Sequence, residues 1–191
     1  GDVFVADGHG GNSNARIVKF SKDGKFIKAW GKKGSGPGEF ETPHSLAMDS
    51  SGRLFVGDRG NSRIQVFDQD GKLLAEWKQF GRPSGMYIDK NDILYAADTQ
   101  SDEKTNPGYK RGIRIGSVKD GKVTALISDP DPDGTGEGVA ADAQGNIYVA
   151  DRGNARIVVL NNDMTLKTMY TNVGNPWAIC ISPGPHQYLF A

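Results

Sequence analysis

A short phrase recurs along this chain, and it restricts the possible folds more than any other feature. Gly57-Asp58-Arg59-Gly60-Asn61-Ser62-Arg63-Ile64 returns as Ala150-Asp151-Arg152-Gly153-Asn154-Ala155-Arg156-Ile157. A looser copy runs from Ala6-Asp7-Gly8 to Ala15-Arg16-Ile17. A stretched one runs from Ala97-Asp98-Thr99 to Gly112-Ile113-Arg114-Ile115. Repeats of this length each form one supersecondary unit, so the chain must be a solenoid, a propeller or an array.

Each unit reads as four strands. An apolar strand ends in Asp, as in Ser45-Leu46-Ala47-Met48-Asp49, Gly85-Met86-Tyr87-Ile88-Asp89 and Gly138-Val139-Ala140-Ala141-Asp142. A Gly- or Asn-bearing turn leads to a second strand: Leu54-Phe55-Val56, Leu94-Tyr95-Ala96 or Ile147-Tyr148-Val149. A polar loop leads to a third strand such as Arg63–Phe67, and Asp70-Gly71-Lys72 turns into a fourth, Leu73–Trp77. Apolar and polar residues alternate as strands require, and the turns suit tight hairpins. The closing residues Asp49 and Asp89 lie 40 positions apart, as do Asp142 and Ser182. That period with four strands is a propeller blade. From Asp89 to Asp142 is 53 positions, which places an insertion at about Gln100–Lys110, after a second strand. The fold class is therefore all-β, a β-propeller with about four blades present. Residues 1–191 are expected to form one domain whose two ends fall inside blades. The chain is then either part of a larger, six-bladed propeller or a four-bladed ring closed by its termini.

Composition removes several classes of function. Lysines plus arginines number 23 and acids 23, so the formal net charge is zero and nothing favours a polyanion partner. No apolar run is long enough to span a membrane, and Gly1-Asp2-Val3-Phe4-Val5 reads as a strand, not a signal peptide. Cys180 is the single cysteine; its run Ala178-Ile179-Cys180-Ile181 predicts a buried small hydrophobe.

The units resemble NHL repeats. Pro43-His44-Ser45-Leu46-Ala47-Met48-Asp49 through Asp58-Arg59-Gly60-Asn61-Ser62-Arg63-Ile64 carries that likeness, which covers nearly the whole chain. Residues 6–67 are similar, more narrowly, to the peptidyl-α-hydroxyglycine α-amidating lyase family. The matching residues include Trp30-Gly31, Pro37-Gly38-Glu39-Phe40, Pro43-His44-Ser45 and Asp58-Arg59. The resemblance implies a six-bladed propeller, a histidine-held zinc, arginines near the substrate, and cleavage of a hydroxylated glycine end into a peptide amide and glyoxylate. It also implies an extracytoplasmic location. His44 matches a zinc histidine and Arg59 an active-site arginine. The family's tyrosine falls at His9, another zinc histidine at Glu137, and an acid that helps bind calcium at Gly138. The remaining zinc histidine and one arginine fall upstream of Gly1.

The repeat itself gathers candidate site residues on one face. Loops entering each first strand and loops leaving each second strand open toward the same end of a propeller. The former hold His44, Ser84, Glu137 and Trp177; the latter hold His9, Arg59, the insertion and Arg152. His186 lies in a loop between first and second strands, on the opposite face. His44 and Glu137 are candidate zinc ligands, or rim residues that hydrogen-bond a loop. Arg59 is a candidate anchor for a carboxylate, or, since Arg152 repeats it, a structural salt-bridge partner of Asp58 or of a neighbouring blade. His9 is a candidate acid–base group or an idle loop residue. Trp177 is either a ligand wall or core. Asp129, Asp131 and Asp133 alternate before Gly134 and form a possible calcium loop. The position of a helix-loop-helix site's closing Glu is Ala140, however, so a plain acidic loop is the competing reading.

Two further patterns carry no function. Gly34-Ser35-Gly36-Pro37-Gly38 lacks the Lys-Ser/Thr ending of a phosphate loop. The run Arg16, Lys19, Lys22, Lys25, Lys28, Lys32 and Lys33 has the spacing of exposed strand and turn positions, and overall neutrality argues against nucleic acid. Two functions remain. One is a metal-assisted lyase acting on a peptide or small molecule at the channel mouth. The other is a non-catalytic propeller that binds protein, peptide or glycan there.

Overall fold

The computed structural model describes residues 1–9, 11–128 and 136–191. Strands β1 (Val3–Asp7), β2 (Arg16–Phe20) and β3 (Phe26–Trp30) make the first antiparallel sheet. The second contains β4 (Pro43–Met48), β5 (Leu54–Asp58), β6 (Arg63–Phe67) and β7 (Leu73–Trp77). The third contains β8 (Pro83–Ile88), β9 (Ile93–Asp98), β10 (Gly112–Ser117) and β11 (Val123–Ser128). The fourth contains β12 (Gly136–Ala141), β13 (Ile147–Asp151), β14 (Arg156–Leu160) and β15 (Leu166–Tyr170). A last pair joins β16 (Cys180–Ile181) to β17 (Leu189–Phe190).

Each four-stranded sheet is a meander in chain order, and β4 packs beside β8 and β8 beside β12. The first strands of successive sheets thus stand side by side, which is the radial blade arrangement of a propeller. Small residues allow that approach. A Cβ on Gly85 of β8 would collide with the Glu137 carbonyl on the neighbouring blade. Between blades the core is apolar. Phe40 and Phe80, each carried on an interblade loop, are fully buried beside Phe67 and Trp77 respectively.

The recurring phrase has a structural reason. Asp58 ends β5 fully buried, and its Oδ2 accepts from Arg63 Nε at 2.7 Å and Asn61 Nδ2 at 2.8 Å. Its Oδ1 accepts from the Glu41 backbone N–H at 2.7 Å, which ties the blade to the incoming interblade loop. Arg63 continues the tie, donating to the carbonyls of Ser35, Gly36 and Glu39. Asp151 holds Arg156 Nε at 2.6 Å, and Asp7 holds Arg16 Nε at 2.7 Å. The third blade differs in register. Gly112, not Arg114, lies opposite Asp98, yet Arg114 is on the same face two residues on, and its Nη1 reaches Asp98 at 2.7 Å. The Asp-Arg-Gly-Asn segments form one 3-10 turn each, at Arg59–Asn61 and Arg152–Asn154, closed by left-handed Ser62 and Ala155.

Two expectations need correction. His44, Ser84 and Glu137 lie within the first strands, not before them, because those strands extend one or two residues past a bulge. Cys180 is exposed, not buried, because β16 pairs with β17 alone and this two-stranded sheet leaves its side chain uncovered. The candidate calcium loop of Asp129, Asp131 and Asp133 lies outside the described residues.

The clamps differ in burial, and so in their expected worth. Asp58→Ala removes the buried acceptor shared by Arg63 Nε, Asn61 Nδ2 and the Glu41 N–H, leaving the Arg63 guanidinium only Glu76 as an acidic partner, and should cost about 3 kcal/mol. Asp7→Ala removes a pair whose side chains are 32% and 47% exposed and should cost no more than about 1 kcal/mol. Urea denaturation of the two variants beside the wild type checks the difference.

Candidate functional site

The three first strands share one irregularity. Pro43 pairs with Asp58 and Ser45 with Gly57, so His44 is an extra residue in β4. Ser84 is the extra residue in β8, and Glu137 in β12. A bulge re-aims the side chain it carries and occurs often beside functional sites. The histidine, serine and glutamate thus hold equivalent places on adjacent blades at one end of the channel.

His44 is fixed by its neighbour. Its Nδ1 lies 2.7 Å from the Ser84 carbonyl oxygen, which can only accept, so Nδ1 carries the proton and the neutral ring keeps its lone pair on Nε2. Ser84 is itself buried and its hydroxyl lies 2.6 Å from that of Thr99. Burial, helped by the nearby Arg59 charge, lowers the His44 pKa to about 4. His44 is therefore neutral at physiological pH. His9, on the loop after β1, is exposed, but its ring centroid lies 5.0 Å from that of His44.

Arg59 does not pair with Asp58, whose carboxylate is taken by Arg63. Its Nη2 lies 3.4 Å from His9 Nε2, and it has no carboxylate within 4.0 Å among the described residues. Burial lowers its pKa, the Glu137 charge opposes that, and the charges of Arg82 and Arg152 add to it. Arginine still remains protonated. Glu137 is buried, and its Oε1 lies 3.4 Å from Arg152 Nη2. The Arg152 guanidinium also lies 3.9 Å above the ring of Trp177, which is 65% exposed and so is not core.

Arg82 is a site residue that the repeat reading did not single out. It precedes Pro83, two positions before the bulge at Ser84, so a basic residue at that offset was the available signal. Its Nη2 lies 3.3 Å from Gln100 Oε1 at the start of the insertion, and its Nε is buried without a hydrogen-bond partner among the described residues. The structure therefore brings His9, His44, Arg59, Glu137, Arg152 and Trp177 to one end and adds Arg82; among these seven residues three guanidinium groups stand with one carboxylate.

Among the described residues the ligand set for a metal is incomplete. His44 with Nδ1 held by a carbonyl is oriented as a ligand would be. Yet among the described residues no three His, Cys, Asp or Glu side chains come together to hold an ion, and Glu137 is engaged by Arg152. The basic run on the first blade is largely used internally. Lys19 pairs with Asp2, Lys32 with Glu39 and Lys33 with Glu41, and Lys28 donates to the Asp70 carbonyl. No helix is long and apolar enough to cross a membrane among the described residues.

A six-bladed β-propeller family matches residues 3–105, and an NHL repeat matches residues 137–160. Human NHL repeat-containing protein 3 is 49% identical over 60 residues, or 31% of this chain and 17% of that protein. Mouse peptidyl-glycine alpha-amidating monooxygenase is 51% identical over 64 residues, which is 31% of this chain and 6% of that protein. The chain thus matches only a small part of these relatives' own length. Virginiamycin B lyase from Staphylococcus aureus superposes with a TM-score of 0.67 at 18% identity, over 93% of this chain and 59% of that one, and so shares the fold.

The His44 pKa sets a pH dependence. Its folded value of about 4 lies below its ordinary 6.5, so between these values the unfolded state binds more protons. Stability from the neutral ring is complete above pH 6.5 and is lost as pH falls toward 4. The loss should be on the order of 2 kcal/mol, the ring being partly screened by solvent. Denaturation of wild type and His44→Gln at pH 7, 5.5 and 4 should show this drop in the wild type and a flatter profile in the variant.

Proposed function

Because the chain belongs to the six-bladed β-propeller family, with NHL repeats, we propose that it works as a ligand-binding propeller whose channel mouth takes a carboxylate-bearing ligand, such as the free C-terminus of a peptide. The observation that carries this reading is the Arg59 guanidinium, half-buried and without an acidic partner among the described residues, in the field of Arg82 and Arg152. A guanidinium in that state is set to receive a planar anion through two parallel N–H···O bonds. Glu137 offsets part of the positive charge and holds Arg152 over Trp177, which gives the ligand an aromatic and cationic wall beyond its carboxylate.

Peptides differing only in a C-terminal carboxylate or carboxamide would test this by calorimetry. The acid form should bind more tightly, and Arg59→Ala should weaken it at least tenfold while leaving the amide form nearly unchanged. Equal binding of the two forms by the wild type would defeat the proposal.

A second reading, a lyase of the amidating type, is favoured by one feature: a neutral His44 whose Nδ1 is held by a carbonyl keeps its Nε2 lone pair oriented as a metal ligand would be. The short match to the mouse amidating monooxygenase points the same way. Zinc would supply Lewis-acid polarisation of that hydroxyl, but the described residues alone do not make its site. Elemental analysis of the protein and of His44→Ala separates the readings. The binding reading expects no stoichiometric zinc in either. Zinc present in the first and lost from the second, together with glyoxylate release from a hydroxyglycine peptide, would favour the lyase.

A further inference from the structure

Rings fill two of the junctions between sheets. Trp30 ends β3 opposite Ile17, and Trp77 ends β7 opposite Ile64. The third-to-fourth-strand turn of the next sheet lies against each indole. A Cβ on Gly71 would stand 2.8 Å from the Trp30 ring, and one on Gly121 would stand 2.6 Å from the Trp77 ring, so both turns need glycine there. A second ring completes each junction. Phe40 lies beside Phe67 with centroids 5.8 Å apart, and Phe80 beside Trp77 at 5.9 Å.

The junction between the third and fourth sheets is built without those rings. Ile127 lies opposite Ile113 and so holds the place of Trp30 and Trp77. Met164 holds the place of Gly71. Leu160 pairs with Leu166 as Phe67 pairs with Leu73, and the Met164 N–H donates to the Asn161 carbonyl as the Gly71 N–H donates to that of Asp68. Met164 keeps a left-handed backbone, at φ 70°, where glycine is favoured. It can carry a side chain there because Ile127, not an indole, occupies the facing place. The second ring is also missing. Gly136 pairs with Asp151 as Pro43 pairs with Asp58 and Pro83 with Asp98. Phe40 and Phe80 stand three positions before those prolines; the same position here is Asp133, and residues 129–135 contain no aromatic side chain.

The missing ring volume is open space among the described residues. A cavity of about 330 Å³ lies between these two sheets, both of them four-stranded meanders. Its walls include Ile127, Val158 and Leu160, and Met164, Leu166 and Met169 stand exposed at its open side. Leu166 is 56% exposed, whereas its counterpart Leu73 packs with Trp30 on the cluster that contains Phe40 and Phe67. The two carboxylates in the lining, Asp98 and Asp151, are neutralised by Arg114 at 2.7 Å and Arg156 at 2.6 Å. The space therefore offers apolar contact, and methionines adapt to the shape of what they touch. An apolar cavity of about 150 Å³ already stays dry and takes benzene, so this one has room for a fused ring.

We infer that the cavity between the third and fourth sheets binds an uncharged aromatic ring, supplied in trans where tryptophan and phenylalanine side chains supply it in cis in the two preceding junctions. The ring comes either from a free small molecule or from an aromatic side chain of a polypeptide. The cavity shares no residue with the channel mouth and does not depend on the function proposed for that mouth.

The test titrates the protein with indole, a capped Gly-Trp-Gly peptide and a capped Gly-Leu-Gly peptide, following the methyl signals of Ile127, Met164, Leu166 and Met169 by NMR. Indole or the tryptophan peptide should give saturable shifts of these methyls, with the leucine peptide weaker. Tighter binding of the tryptophan peptide than of indole identifies a polypeptide source; indole binding as tightly or more tightly identifies a free molecule. The double variant Ile127→Trp/Met164→Gly rebuilds the Trp30–Gly71 arrangement, and should abolish binding and raise the thermal midpoint. Leu166→Asp, at an exposed position that should not disturb folding, should weaken binding at least tenfold and keeps the test valid if the double variant does not fold. No saturable shift with indole or the tryptophan peptide, a leucine peptide that binds as tightly as the tryptophan one, or undiminished binding in the folded double variant would overturn the inference.

Discussion

The first four sheets of this protein each carry one carboxylate at the end of the second strand. In the second to fourth sheets that aspartate is withdrawn from water and would be costly if left alone. The arginine or asparagine donors of the following turn and third strand compensate it, and in the second blade the Asp58–Arg63 pair extends the bonding to Ser35, Gly36 and Glu39 on the interblade loop. The same group therefore closes a hairpin, fixes a turn and joins one blade to the loop before it. Such a pair need not add much net stability relative to an apolar replacement. In the second blade the pair lies directly across the ladder, Asp58 opposite Arg63, while in the third Arg114 reaches Asp98 from two residues on.

The turn fixed by that clamp also positions the site. Because Asp58 is occupied by Arg63 and Asn61, Arg59 cannot fold back onto it and is left for the channel end. On the other side of the channel mouth, bulges at His44, Ser84 and Glu137 place a base, a carbonyl and an acid at matching positions. Among the described site residues guanidinium groups outnumber carboxylates, with a neutral imidazole between. That balance suits an anion better than a divalent cation, which is why the proposed ligand carries a carboxylate.

Differences between copies are as informative as the repeat itself. Arg53 and Asn146 occupy equivalent places, and the aspartate that accepts from a guanidinium in one sheet accepts from a neutral amide in the other. Arg59 and Arg152 are likewise equivalent. One lacks an acidic partner among the described residues, while the other is held by Glu137 and Trp177. Repetition accounts for the frame, and the departures from it decide which guanidinium groups keep an acidic partner.

The sequence by itself determined the all-β propeller class, the four-strand meander, the exact spans of β6 and β7, and the side of the ring on which His9, His44, Arg59, Glu137, Arg152 and Trp177 lie. These follow from periodicity and turn chemistry, which are local and so visible in a linear string. It could not show that Asp58 binds Arg63 and leaves Arg59 available, that Arg82 belongs to the site, that Glu137 is spent on Arg152, or that Cys180 is uncovered. Those depend on which side chain reaches a shared partner first across a strand or blade boundary. Such competition is decided by distances between residues remote in sequence, and only the tertiary structure sets them.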